Sequence, residues 1–333
     1  MAALTRMSII IFAVVNLGIT LPVVAQDVTA PYKVPHNELG QPDFRGVWNF
    51  SSDIPLARDK EYAEQEFLTL DDLAAMNAKR DKMIEQFNNT GTGFHDKYWL
   101  DYKSHVVNLR SSLVTYPENG RMPTLVDGVH RINPVFGIGL EHATSRPVRF
   151  AVGGIGVDGP EDRGLFERCL AALGVGPPIQ PAGDNNYLQI FQTKNHIVLL
   201  MEHIHDARII PVNGQPFAND TIRHWHGDSR GYWQGDTLIV ETKNFNDLTQ
   251  SFDSAGTAYH KVVTERFTRV ADNELRYEAS FQDPHTFQDR VDILLPMAKF
   301  DGQLYEFACH EGNYSMTNTL AGARKEEREK EKE

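Results

Sequence analysis

Positive charge is scarce in this chain. Lys and Arg number 33 against 45 Asp and Glu, for a formal charge of −12. That deficit argues against nucleic acid and anionic membrane surfaces as partners. No phosphate-cradling loop, dinucleotide fingerprint or internal repeat occurs, so nucleotide-dependent and solenoid architectures are not expected. After residue 25 no apolar run is long enough to span a bilayer, so no membrane span is expected in the mature chain. Cysteine is limited to Cys169 and Cys309. Metal knuckles built on several thiols are thereby excluded, and one disulfide or two separate thiols remain.

The first 25 residues supply what the rest lacks. Arg6 gives a positive start, Met7 to Val24 are almost wholly apolar, and Val23-Val24-Ala25 offers small residues at a cleavage site. This pattern reads as a signal peptide over 1–25 and implies a periplasmic or secreted protein. Loss of Arg6 takes the mature charge to −13. In an oxidising compartment a Cys169–Cys309 bridge becomes plausible. It would close a loop of about 140 residues, which the chain-entropy account values at about 4–5 kcal/mol.

Residues 26–320 read as a single β-rich domain with a helical, loop-rich insertion at about 51–185, followed by a charged tail over 321–333. Gly46 to Phe50 reads as a short strand. Thr69 to Phe87 reads as a helix, with Thr69 and Asp72 as a capping box and Leu73, Met76, Met83, Ile84 and Phe87 on one face. A shorter helix is expected near Glu161 to Leu173. From Tyr187 strand-like runs recur: Tyr187–Gln192, His196–Glu202, Ala207–Pro211, Thr237–Thr242, Val262–Arg269, Leu275–Phe281, Val291–Leu295 and Leu304–His310. Turn residues separate most of them, and apolar residues alternate with polar ones. Strands without intervening helices predict a mainly β fold: an antiparallel up-and-down β-barrel, lipocalin-like, or a sandwich. Arg324 to Glu333 carries five basic and five acidic residues and reads as a solvated helix end or tail.

Several clusters carry possible chemistry. His203-x-His205 and His224-x-His226 would each present two imidazoles on one strand face, a ligand set that zinc, iron, copper or manganese accepts. With 13 His in the chain, such pairs also arise by chance, so a transition metal is a secondary expectation. His205, Asp206 and Arg208 combine an acid–base group, a carboxylate and an oxyanion partner, although on a regular strand His205 would face away from the other two. Gly227-Asp228-Ser229-Arg230-Gly231 matches a serine-nucleophile elbow in spelling, but no helix follows to complete one, and its glycines read as turn residues. Cys309-His310-Glu311-Gly312-Asn313-Tyr314 offers His310 and Glu311 as acid and base and Tyr314 as a donor, or else a capped strand end. Asn185, Asn186 and Tyr187, with Trp225 and Trp233, are candidate substrate contacts.

Gly46-x-Trp48 opening a strand before a meander resembles the start of lipocalin-like barrels. Longer runs resemble a family of secreted bacterial proteins: His205-Asp-Ala-Arg-Ile-Ile-Pro211, Gly227-Asp-Ser-Arg-Gly-x-Trp-x-Gly-Asp-Thr-Leu-Ile-Val-Glu-Thr242, Glu265-Arg-Phe-Thr-Arg269 and Ala308-Cys-His-Glu-Gly-Asn-Tyr314. Gly159-Pro-Glu-Asp162 and Glu167-Arg-Cys169 fit the same pattern. The resemblance implies export and brings no activity with it. Its pattern includes His205 and His310 but leaves positions 203, 224 and 226 open to other residue types, which turns attention to His205, Arg208, Asp228, Arg230, His310 and Glu311.

The functional expectation is therefore a periplasmic enzyme using His, Arg and carboxylate acid–base chemistry, as a lyase, isomerase, hydratase or hydrolase, on a small organic or sugar-derived substrate. His205 or His310 would move the proton, and Arg208 or Arg230 would steady negative charge. The alternatives are a lipocalin-like binder of an apolar ligand, a metal-dependent enzyme using the His-x-His pairs, and a serine hydrolase using Ser229.

Overall fold

Alternation of apolar and polar residues gives each strand one buried face, and antiparallel pairing through short turns assembles those faces into a single wall. The computed structural model describes residues 32–89, 103–132, 139, 156–172 and 174–332; the expected signal peptide lies outside them. The residues from Val34 onward gather into one unit.

Ten strands are described: β1 Gly46–Asn49, β2 Val114–Tyr116, β3 Tyr187–Gln192, β4 His196–Met201, β5 Ala207–Pro211, β6 Asp228–Gln234, β7 Thr237–Lys243, β8 Val262–Ala271, β9 Glu274–Gln282 and β10 Val291–Phe300. Nine of them follow the order β5-β4-β3-β1-β10-β9-β8-β7-β6, with β2 added on β10. Every neighbouring pair is antiparallel. The sheet is nearly closed into a barrel, so the barrel rather than the sandwich is the fold.

Strand count decides how the barrel shuts. Nine strands alternating in direction bring β5 and β6 together running the same way, and no ladder joins them. Side chains close this seam instead. A Cβ on Gly231 of β6 would stand 2.9 Å from a methyl of Val212 and 3.0 Å from a methyl of Ile210, so only glycine lets the two strands approach this closely.

The interior is packed solid. Leu188, Leu199, Ile210, Val240, Phe267, Phe281 and Leu295 belong to one buried cluster, each worth about 1.5–3 kcal/mol of burial. At one end, the Trp48 indole N–H donates to the Phe44 carbonyl at 2.8 Å. Arg269 lies over the Trp48 ring and donates to the carbonyls of Asp43 and Asp272, closing that end. The opposite end, where β5, β6 and β8 begin, is the mouth.

Helix α1 spans Leu70–Asn89. The expected capping box forms: Thr69 Oγ1 accepts from Asp72 N, and the Asp72 carboxylate accepts from Thr69 N. Leu73 and Met76 pack on the core, whereas Met83 is exposed; the Phe87 side chain lies outside the described residues.

Three local expectations are corrected. Residues 160–162 form a single 3-10 turn rather than the first part of a helix to Leu173. Asp228–Gln234, read as turn because of its glycines, is a full strand between the seam and β7. Leu304–His310 is irregular, because β9 and β1 already occupy the two edges of β10 and leave this segment no partner. The charged tail belongs to a longer helix, α2 Tyr314–Lys330, which buries none of its residues. Among the described residues no helix is long and apolar enough to cross a membrane.

Candidate functional site

Arg208 pairs across the ladder with Leu199, so its side chain points into the barrel with that residue. There it meets Glu265 of β8 through two hydrogen bonds, at 2.6 and 2.9 Å. Glu265 is fully buried and accepts a third bond from the Tyr277 hydroxyl at 2.9 Å. That hydroxyl in turn accepts from the backbone N–H of Ile179 at 2.8 Å. Burial pushes the Arg208 pKa down, and the Glu265 carboxylate more than reverses this. Burial, reinforced by the same carboxylate, lifts the Tyr277 phenol well above its ordinary value. The Glu265 carboxylate and the Tyr277 hydroxyl are thereby partnered, while the buried Arg208 Nε has no hydrogen-bond partner among the described residues; the network's evident role is to hold position. Removing one partner from such a pair typically costs about 3–5 kcal/mol. Through Ile179, the network fixes the segment following Gly174 across the mouth.

Asp206 precedes β5 and His226 precedes β6, so the parity of the barrel sets them at the same end of the seam. Their Oδ2 and Nε2 atoms lie 2.5 Å apart, although out of line for a regular hydrogen bond. The other ring nitrogen, Nδ1, lies 2.9 Å from the carbonyl oxygen of Gly176. A carbonyl only accepts, so Nδ1 carries a proton. His226 is thus held by the Gly176 carbonyl through one ring nitrogen and lies against the Asp206 carboxylate with the other.

Beside it lies a cleft of about 80 Å³, walled by Trp225, His226, Pro177, Phe245 and Thr249 among others, with Lys261 contributing to its lining. The Lys261 ammonium position is buried. Its Nζ donates to the carbonyls of Ser251 at 2.8 Å and Pro177 at 3.2 Å, and sits 4.5 Å from the Phe245 ring centre. Among the described residues no carboxylate is paired with it. Burial lowers its pKa to about 8, with Asp283 and Glu265 opposing from a distance. A desolvated amine with a near-neutral pKa, lining a cleft, is the strongest chemical signal in the molecule.

The structure redistributes the residues singled out in the sequence. His203 and His205 lie in a 3-10 turn, with left-handed φ at Ile204 and His205 (59° and 46°), so strand geometry does not unite them. His203 is buried between the rings of Phe166 and Phe307, and His205 is exposed. His224 is exposed and also lies off any strand. Among the described residues no three His, Cys, Asp or Glu side chains group as a metal would need.

Arg208 is committed to Glu265 and does not face a substrate. Asp228 accepts from Ala218 N, pairs with Arg230, and Arg230 donates to the Pro216 carbonyl; together they pin the loop before β6. Ser229 lies inside β6 with its hydroxyl on Thr242 Oγ1 at 2.8 Å; strand continues after it, in line with the expectation that no helix completes an elbow. His310, Glu311 and Tyr314 are exposed, in the turn where Asn313 caps α2. Asn186 is buried and bonds both backbone groups of Ala182, and Asn185 takes a left-handed turn φ of 52°. Tyr187 packs on Phe300 and Trp233 on Phe44. Of the expected substrate contacts, Trp225 lines the cleft.

Cys169 and Cys309 are bonded, with Cα atoms 5.8 Å apart. The space beside Arg208 inside the barrel is about 10 Å³, room for about one water; a larger cavity of about 880 Å³ is lined by Ile54, Leu56, Met76, Met83 and Leu113 among others. Sequence reasoning missed Lys261, Glu265 and Tyr277. For Glu265 a signal existed, since it alternates with Val263 and Phe267 on the apolar face, and a buried carboxylate demands a partner. For Lys261, at the loop end before β8, no pattern marked it. Compared with known proteins, the chain matches no family model, no curated protein and no solved structure.

Proposed function

We propose that this chain is an extracytoplasmic enzyme of the secreted bacterial family it resembles, performing acid–base chemistry on a small organic substrate in the cleft at the barrel mouth. The observation that carries this reading is Lys261, a buried amine whose pKa is lowered to about 8 on the wall of a cleft that also contains His226. In this reading Lys261, once neutral, takes a proton from the substrate. His226, held by the Gly176 carbonyl and lying against Asp206, is the polar wall that steadies the anion as it develops. Trp225 supplies an apolar wall that orients the substrate. The proton-moving role moves from His205 and His310, which are exposed, to Lys261. The Cys169–Cys309 bond supports an oxidising compartment, and the apolar leader supports export to it. Lyase, isomerase and hydratase chemistry fit a base opposite a positioned imidazole best.

Purified protein would be incubated in heavy water with a panel of small hydroxy acids, oxo acids, aldehydes, sugars and esters, followed by proton NMR. At least one compound is expected to convert or to exchange a C–H proton, with a rate that rises with pH and levels off above about 8. Lys261→Met and His226→Asn should each lower that rate by about a hundredfold or more. Turnover unchanged in Lys261→Met would overturn the assignment.

A further inference from the structure

We propose that Lys261 is also a nucleophile, forming an imine with a small aldehyde or ketone, so that the cleft's substrates are carbonyl compounds. This rests on the mouth cleft as the reaction site and deepens that reading by naming the substrate class. The hydrogen-bond count carries the inference. A neutral amine has two N–H bonds and one lone pair, and an ammonium has three N–H bonds. Lys261 Nζ has two protein acceptors, the carbonyls of Ser251 and Pro177. They satisfy the neutral amine fully and leave its lone pair over for an electrophile. The ammonium would have only the face of the Phe245 ring, 4.5 Å from Nζ, for its third donor, a weaker partner than a carbonyl in a buried site.

The surroundings agree. Asp283 and Glu265 are the carboxylates that act on Lys261, and both are committed elsewhere. Asp283 caps its own turn through Thr286 Oγ1 and His285 N, and Glu265 is held by Arg208 and Tyr277. Asp253, also on the cleft wall, is paired with Arg131 at 2.8 Å. The remaining titratable residue of the wall, His226, faces Asp206 through Nε2 and brings Lys261 no compensating negative charge. A cleft of about 80 Å³ suits a compound of only a few heavy atoms. At about pH 7.5 an amine with this lowered pKa has on the order of a hundredfold more neutral form than an ordinary lysine.

The step balances without an added oxidant or reductant. The nitrogen lone pair adds to the carbonyl carbon while the C=O π pair moves to oxygen. The two amine hydrogens leave with that oxygen as one water, and a C=N bond joins substrate to Lys261. Protonation of the imine nitrogen from solvent then makes it an electron sink for loss of a neighbouring proton.

The test uses the unaltered protein with glycolaldehyde and sodium cyanoborohydride, which reduces imines in place, followed by peptide mass spectrometry. The hydride adds to the imine carbon and leaves a stable secondary amine. Lys261 is expected to label at least about tenfold faster than the exposed Lys60 and Lys194 at about pH 7.5, with half-maximal rate near pH 8. A structural ammonium predicts the reverse order, and slower labelling of Lys261 than of Lys60 and Lys194 would overturn the proposal. If Lys261 stays unlabelled while Lys261→Met abolishes turnover, the imine falls and proton transfer stands. If Lys261 labels first while turnover ignores Lys261→Met, the imine stands and the acid–base reading falls.

Discussion

Lys261 and Glu265 are four residues apart and both buried, yet they solve the burial of charge in opposite ways. Glu265 stays charged because Arg208 and Tyr277 replace the water it lost. Lys261 has only neutral acceptors, so its charged form is penalised. This makes stability depend on pH with a definite sign. Below about pH 8 the amine is protonated in both folded and unfolded chains, and the folded state bears the full penalty. Between about 8 and the ordinary 10.5 the unfolded chain binds more protons, so stability rises with pH; above that window both forms are neutral and the penalty is gone. Wild-type stability relative to Lys261→Met should therefore rise by about 3 kcal/mol across the window, measured by urea unfolding of both proteins at matched pH. A flat difference would mean the amine bears no burial penalty. Such behaviour was only half legible. Alternation through Val263, Glu265 and Phe267 marks Glu265 as inward-facing, whereas the burial of Lys261 depends on loops contributed by Pro177 and Ser251, remote in sequence.

At the scale of elements, the strands were legible wherever burial alternates, and hidden where glycine or an unusual role breaks the pattern. The runs at 187–192, 207–211, 262–269 and 275–281 appear with nearly the expected ends. The strand at 228–234 was hidden because Gly231 reads as a turn residue and is in fact a packing residue at the seam. The C-terminal element shows a different dependence. Helix α2 buries no residue. It is held by the Cys169–Cys309 bond, by Asn313 on the Glu167 carbonyl, and by Arg324 on the carbonyls of Val157 and Asp158. The chain-entropy value of about 4–5 kcal/mol for so long a loop applies only when both ends belong to one cooperative unit. With no apolar face to hold it, α2 instead separates when the bond is cut. Reduction should therefore speed amide exchange across residues 301–330 while leaving β8, β9 and β10 protected. Uniform loss of protection across all strands would show that the bond supports the barrel itself.

For the whole molecule, closure is a matter of parity. An even number of alternating strands can meet in a further antiparallel ladder; nine cannot, and the last neighbours, β5 and β6, run parallel without hydrogen bonds between them. The barrel is thus weakest along one line, and that line ends at the mouth, where Asp206 and His226 clip it. The seam and the proposed site are one construction, since the clip that joins the strands also fixes His226 on the cleft wall. None of this could be counted from the sequence while the sixth strand passed for a turn. Gly231→Val tests the linkage. Its side chain would collide with Val212 and Ile210 and force the strands apart, at a cost of about 1–3 kcal/mol. Amide exchange should accelerate in Ala207–Pro211 and Asp228–Gln234 well before it does in β8–β10, and the freed parallel edges should promote self-association at high concentration. Because the clip opens with the seam, labelling of Lys261 by glycolaldehyde and cyanoborohydride should also lose its advantage over Lys194. A Gly231→Val protein with wild-type exchange in both strands would show that the seam is held by something other than the close approach at this glycine.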